Sequence, residues 1–292
     1  MTERRQLFKR NFQASITNLS IGKKIDIEGL RITFKITKTN KARGNTATCA
    51  IYNLSPINRK TILTPNTKSG APQTKIEIRA GYGTESKLIF TGVGTASTQW
   101  DAPNYVSTVV ANDSFGISSA PFENIYPKNY LVDTIIDDLI KAVGLPRGTV
   151  EKIGAALKQS RSFSGMAESQ FEDLASTYGF TFDIQNGKVN VFFGRNREKR
   201  SKVFLGKDSG MIGSPYWDGS IVKVRSLIIA EILPNNLVTL EVEDVQLAGQ
   251  YTVLKVVIKG DNWGSNAVME IELAPRGLES FYDNLLDVGN IV

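Results

Sequence analysis

The chain has 292 residues, 41% hydrophobic and 22% charged, with 35 Lys and Arg against 29 Asp and Glu for a net charge of +6. That size and balance allow two globular domains with real hydrophobic cores and exclude wholesale disorder. Histidine is absent and Cys49 is the single cysteine, which excludes Ser-His-Asp and Cys-His catalysis in their usual forms, histidine zinc sites, histidine pH switches and an internal disulfide.

The first ten residues are charged and lead into no apolar core, and no window reaches the roughly 20 apolar residues of a membrane span. A soluble protein, made and used in a cytosol, is therefore expected. Ile25, Ile27, Leu30, Ile32, Phe34 and Ile36 alternate as in a strand, and Gly29 falls where the phase changes, as at a bulge or bend inside one long strand. Residues 46–51 alternate again, with Cys49 read as a buried structural thiol, and Ser55-Pro56 punctuates a turn. Strand code continues at residues 76–80, 88–92 and 105–111. Short strands without a long helix point to an antiparallel sheet closed into a barrel or sandwich.

After Pro127 the period changes. Val132, Ile135, Ile136, Leu139, Ile140 and Val143 lie at helical spacing, and Gly144-Leu145-Pro146 supplies the stop. Asp133, Asp137 and Asp138 fall off that stripe and read as a solvated face, not as an acid–base or metal pair. A second helix over 166–178 has Ser164 as its expected N-cap, the stripe Ala167, Phe171, Leu174, Ala175 and Tyr178, and Gly179 as its end. Phe180, Phe182 and Ile184 alternate into Asn186-Gly187, and Val189, Val191 and Phe193 alternate out, the pattern of a hairpin on a type I′ turn. The basic run Arg195, Arg197, Lys199, Arg200 and Lys202 has no interleaved aromatics and includes Glu198, so a linker or protein-docking loop is expected before a nucleic-acid site. Strand code returns at 220–227, 237–242, 250–259 and 268–273. The closing stretch keeps Phe281, Tyr282, Leu285 and Leu286, apolar side chains expected to dock on their own domain or on a neighbour.

No motif carries chemistry. Gly206-Lys207-Asp208 lacks the upstream glycine and the following Ser/Thr of a phosphate loop. Residues 260–264 lack the acidic series of a calcium loop and read as a hairpin turn. No pair of carboxylates is singled out for glycoside cleavage, which makes a cell-wall hydrolase the weakest reading. No catalytic residue, cofactor or metal is expected.

An ordered series of soft motifs resembles the hub of a phage tail baseplate, of the late control protein D type. It comprises Ala50-Ile51-Tyr52-Asn53-Leu54-Ser55, Ala80-Gly81-Tyr82, Ile89-Phe90-Thr91-Gly92, Phe163-Ser164-Gly165, a hairpin with Gly187 and Gly194, Gly213-Ser214-Pro215, Gly249-Gln250-Tyr251 and Lys259-Gly260-Asp261. The resemblance spans roughly residues 25–276. It implies a β-rich α+β fold of two tail-tube-like antiparallel β-barrels, residues 1–118 and 201–292, with a helix-plus-hairpin module, 119–200, between them. It further implies a structural virion protein and no enzyme: a homotrimer forming a pseudo-sixfold ring in the tail. That ring would join the tail tube to the central spike, touch wedge or tape-measure proteins, let DNA pass at ejection without reading it, and assemble in the host cytoplasm away from any membrane. Family members are often larger and some carry fused cell-wall-degrading domains, for which this chain offers no room. Under this reading Phe281, Tyr282, Leu285 and Leu286 are the interface candidates toward the spike. Arg195, Arg197, Lys199 and Arg200 face outward toward wedge or neighbouring hub subunits. A tube-initiator subunit of a contractile injection system would look the same, and a nucleic-acid-binding β-barrel is the alternative from charge alone.

Overall fold

The computed structural model describes residues 9–40, 44–64, 73–114, 117–193 and 202–275. The chain divides into two compact units, one from residues 1–40, 46–111 and 197–292, the other from 41–45 and 112–196.

In the first unit the front of the chain supplies β1 (Arg10–Asn18), β2 (Lys23–Ile27), β3 (Ile32–Thr39), β4 (Thr46–Tyr52), α1 (Pro56–Leu63), β5 (Thr74–Tyr82), β6 (Glu85–Asp101) and β7 (Asn104–Asn112). Its back supplies β13 (Lys202–Gly206), β14 (Tyr216–Asp218), β15 (Ile221–Ser226), β16 (Leu237–Glu241), β17 (Gly249–Asp261) and β18 (Ala267–Pro275). These join one 13-stranded sheet in the order β14-β15-β18-β17-β3-β4-β7-β6-β5-β1-β2, with β16 on β17 and β13 on β16. The alternation seen in the sequence is the alternation of burial. In β4, Ala47, Cys49 and Ile51 are buried while Thr46 and Thr48 are exposed.

Front and back are sewn together along β17. Its first residues pair with β16 (Leu237↔Thr252) and its later ones, on the same edge, with β3 (Ile258↔Ile36), while β18 occupies the other edge. A register shift between Val253 and Lys255 marks the change of partner; an extra residue there lets one strand serve two neighbours. One large cluster of buried side chains includes Ile16, Ile36, Ile51, Ile78 and Phe90 from the front and Val222, Val238, Val253, Ile271 and Leu273 from the back, and Leu254 and Ala274 form a small second one. Side chains add staples: Tyr82 Oη accepts the Ile228 N–H at 2.9 Å, Lys87 pairs with Glu231, and Arg10 donates to the carbonyls of Gly264 and Ser265 at 2.7 and 3.0 Å.

The second unit holds β8 (Pro121–Tyr126), α2 (Val132–Val143), β9 (Arg147–Val150), β10 (Arg161–Met166), α3 (Ala167–Tyr178), β11 (Phe180–Gln185) and β12 (Lys188–Phe193). The predicted stripe of α2 is buried, and Gly144 closes the helix in the left-handed conformation, its N–H on Ile140 O and Lys141 O. The β11–β12 hairpin turns at Asn186 (φ 53) and Gly187 (φ 68), as the dipeptide predicts. Phe171 stacks on Phe182 at 4.9 Å, fastening α3 to the hairpin. Asn45 also belongs to this unit: its N–H and Nδ2 donate to Asp113 Oδ1 and Oδ2 at 2.6 and 2.8 Å, and Nδ2 also reaches Ile184 O at 2.9 Å.

Several expectations are corrected. Gly29 (φ 67) is no bulge inside a strand but part of the turn between β2, which pairs with β1, and β3, which pairs with β4 and β17. Ser164 lies in β10 and caps nothing; Met166 holds the N-cap position of α3 and makes no side-chain cap bond. Ser55-Pro56 opens α1, Ser55 Oγ accepting the Asn58 N–H at 3.3 Å with proline at the helix start. The three aspartates off the α2 stripe are half-buried and engaged. Asp133 accepts the N–H groups of Ile153 and Gly154 at 2.8 and 3.0 Å, Asp137 pairs with Arg147, and Asp138 accepts the Tyr126 hydroxyl at 3.0 Å. The pairing is not wholly antiparallel, since β13–β16 and β9–β12 run parallel. The strand path does not close on itself among the described residues, so the sheet alone does not outline two barrels.

Candidate assembly surface

All eight site residues expected from the sequence, Arg195, Arg197, Lys199, Arg200, Phe281, Tyr282, Leu285 and Leu286, lie outside the described residues. Among the described residues no group of His, Cys, Asp or Glu is arranged to hold a metal ion, and no helix is long and apolar enough to cross a membrane. What the first unit does present, at one end of its sheet, is a set of exposed aromatic side chains, Trp100, Tyr105 and Trp263, with the half-buried Tyr52, Arg31 and Arg59 between them.

The strip begins at the β17–β18 turn. Trp263, 70% exposed, sits where its N–H donates to Asp261 Oδ1 at 3.0 Å. Asp261 is also held by Arg31, whose Nη2 donates to Oδ2 at 2.7 Å. The Arg31 hydrogen bond, with the N–H groups of Gly264 and Trp263, keeps the Asp261 carboxyl below its ordinary range against the effect of burial. The Arg31 guanidinium lies 4.8 Å over the Tyr52 ring. From Tyr52 the chain passes to Asn53 (φ 58), whose N–H donates to Tyr105 O at 2.8 Å and whose Oδ1 accepts the Tyr105 N–H at 3.0 Å. Tyr105 in turn carries Trp100 against it at 4.6 Å and Arg59 over its face at 4.0 Å. Arg59 comes from α1, which exposes Ile57, Lys60 and Leu63 alongside.

Local sequence explains each part. β6 has 17 residues; beyond Gly94 one face stays half-buried through Ala96 and Thr98, and at the tip Gln99, Trp100 and Asp101 are exposed in succession. Tryptophan, tyrosine and arginine clustered on a surface are the residue types that dominate binding energy at protein interfaces, the aromatics because they bury a large area at small conformational cost and arginine because its planar fork both stacks and donates several hydrogen bonds. The warning in the sequence was Trp100-Asp101-Ala102-Pro103-Asn104-Tyr105, two aromatics flanking a turn where a strand pattern calls for nothing large. Position alone gave no sign that Arg59, Tyr52, Arg31 and Trp263 would join them.

The terminal strands of the sheet are also exposed. β14 presents Tyr216, Trp217 and Asp218 to solvent, and β2 exposes Lys23, Lys24 and Asp26. Lys223 reaches Asp218, which raises the pKa of the lysine. The β17–β18 face carries Lys255–Glu272 at 3.4 Å and Lys259–Glu270 at 2.7 Å, cross-strand pairs worth only a few tenths to about 1 kcal/mol each at a wet surface.

Compared with protein-family models and with curated protein sequences, the chain matches none. Solved structures do match it. A 43 kDa tail protein of prophage MuSo2 from Shewanella oneidensis superposes with a TM-score of 0.65 at 12% identity, over 91% of this chain and 97% of that one. A tail protein from Neisseria meningitidis MC58 gives 0.60 at 10% identity, again over 91% and 97%. An Escherichia coli component of the type VI secretion system, itself structurally similar to the T4 bacteriophage tail proteins gp27 and gp5, gives 0.58 at 11% identity over 89% and 76%. The structural neighbours of this chain are thus phage-tail-type proteins and a type VI secretion component, in line with the tail resemblance of the sequence motifs, and its β-rich α+β fold is theirs.

Proposed function

We propose that this chain is a structural baseplate hub of a phage tail, three copies of which form a pseudo-sixfold ring between the tail tube and the central spike. The observation that carries the reading is likeness to two tail proteins, one of them from a prophage, over nearly the full length of both chains. Front and back strand groups act as the two tube-like lobes of each copy, joined along β17. Three chains with two lobes apiece match a threefold spike to a sixfold tube, and unequal lobes supply the heterologous contacts that let a ring close. The role is binding and not catalysis. The tail tube and spike proteins are its axial partners and wedge or tape-measure proteins its lateral ones. DNA crosses the bore only during ejection, and the protein resides in the virion tail after assembly in the host cytoplasm. One neighbour is a type VI secretion component, so the same ring initiating the tube of a contractile injection system is the second reading.

Native mass spectrometry with negative-stain imaging, at low and moderate salt, tests this. Rings of three chains with six lobes and an open centre are the expected result, alone or on addition of a tube or spike protein. A chain that stays monomeric with both partners present overturns it; one that binds DNA at low salt and releases it steeply as salt rises is a nucleic-acid-binding barrel.

A further inference from the structure

We infer that Glu270 and Glu272 screen a cationic face of the first unit from duplex DNA, so that nucleic acid passes over it without being held. The inference rests on the hub reading for its ligand, the DNA that crosses the ring, and names the surface that meets it. The face is the solvent side of β15, β18, β17 and β3, where strand register fixes which side chains are neighbours. One row across the strands runs Lys223, Glu272, Lys255, and the next runs Arg225, Glu270, Val257. In a third row Lys259 of β17 stands directly opposite Lys35 of β3. Along each strand these residues alternate with buried ones, so all of them share the solvent side.

Two observations select the ligand and the role. The first is a like-charge contact. Lysines directly opposite on neighbouring strands, with Cβ atoms about 5 Å apart, destabilise a sheet, and core packing requires neither Lys35 nor Lys259. Lys35 and Arg225 make no ion pair among the described residues. Cations placed so suit a polyanion, and the threonines beside them on β3 and β4 are hydroxyl donors of the kind that contact phosphate and sugar. The second observation is balance. Against the five cations stand Glu270 and Glu272 within the rows, Asp218 on the rim strand β14, and Glu28, exposed in the β2–β3 turn, while Arg31 and Asp261 neutralise each other. The face is therefore close to neutral. Glu270 holds Lys259 at 2.7 Å, and Glu272 holds Lys255 at 3.4 Å with Lys223 opposite it in register. Pairs this wet add little to stability. Their larger effect is on phosphate, whose attraction scales with the number of cations free to replace counterions.

The test uses the full-length chain and a short labelled DNA duplex, followed by fluorescence anisotropy at about 50 and 200 mM salt. The unaltered chain should bind weakly. Glu270→Gln with Glu272→Gln, near-isosteric changes on the solvent side, should bind about tenfold tighter at the lower salt, and log K should fall with log salt more steeply by about 2, for the two lysines released. Lys255→Gln with Lys259→Gln in that background should remove the gain. Glu123→Gln with Glu172→Gln, at two exposed positions of the second unit, makes the same change in net charge and should leave binding where it was. Equal gains from both glutamate pairs, no gain from either, a gain that survives loss of the two lysines, or tight binding by the unaltered chain overturns the screen. A face that, once unscreened, takes poly-glutamate and ignores the duplex is a docking surface for acidic protein, which also overturns it. If rings form while the Glu270 and Glu272 variant gains nothing, the screen fails and the hub reading stands. If that variant gains as expected while the chain never forms rings with tube or spike protein, the screen stands and the hub reading fails.

Discussion

Arg31 and Asp261, 230 residues apart in sequence, form a forked pair, with Nη2 to Oδ2 at 2.7 Å and Nε to Oδ1 at 3.3 Å. It locks the start of β3 to the end of β17 at the point where front and back of the chain share a sheet, and it fixes the spacing between Tyr52 and Trp263 in the strip.

That pair makes stability depend on acid. The Asp261 pKa is depressed in the fold, so its contribution is fully present above the ordinary Asp value near 3.8 and is lost as pH falls through the lower folded value. Arg31→Met should melt below the wild type at pH 6, and the gap between the two should narrow as the pH falls below the ordinary Asp value. A gap that stays constant across that range would mean that the pair has no electrostatic role. The measurement is Tm by circular dichroism from pH 6 to 2.

Gly260 holds β17 against an aromatic ring: a Cβ there would run into the Phe34 ring, which packs edge-on against Phe12 at 5.3 Å. Gly260→Ala should cost about 1–3 kcal/mol in urea unfolding, the usual range for overpacking. Phe34→Leu, which removes the obstructing ring edge, should make the same alanine markedly less harmful. Additive losses in the double variant would argue against the steric account.

Cys49 is fully buried in β4, and burial pushes its thiol up to about 12. It should therefore resist an aromatic disulfide reagent at pH 8 in the folded protein and react within seconds in denaturant. Cys49→Ser places a hydroxyl in apolar surroundings and should cost about 1–3 kcal/mol.

In the second unit, Asn45 supplies two donors to Asp113, which is only 2% exposed. Asn45→Ala retains the backbone donor but removes the side-chain one, together with the bond to Ile184 O. A loss of about 2–3 kcal/mol is expected, because a buried carboxylate is costly to leave under-bonded. Hydrogen exchange should locate the change in residues 112–193, with the strands of the first unit unaffected.

Much of the local structure was legible. Strand code in β4, β17 and β18, the α2 stripe ending at Gly144, and the Asn186-Gly187 turn are short-range signals, set by side-chain period and by backbone angles that only certain residues adopt. Misreadings arose where one local signal had two uses. Gly29 suits a bulge or a turn, and only the partners of β2 and β3 distinguish them. Ser164 suits a cap until its backbone is claimed by β8 across the β10 ladder. Ser55-Pro56 marks a turn or a helix start equally well.

The candidate surface was the least legible part, for a similar reason. Arg31, Tyr52, Arg59, Trp100, Tyr105 and Trp263 come from five separate stretches of chain, and no spacing rule relates them. By itself the sequence determined which segments are strands and helices, which faces of them are apolar, and that histidine chemistry is absent, because those properties depend on residue identity and near neighbours. The tertiary structure alone decided that β17 would pair with β16 at one end and β3 at the other, and so which exposed side chains meet. Strand pairing is a choice among many edges of similar hydrogen-bonding capacity, and burial of the whole core, not any one segment, selects it.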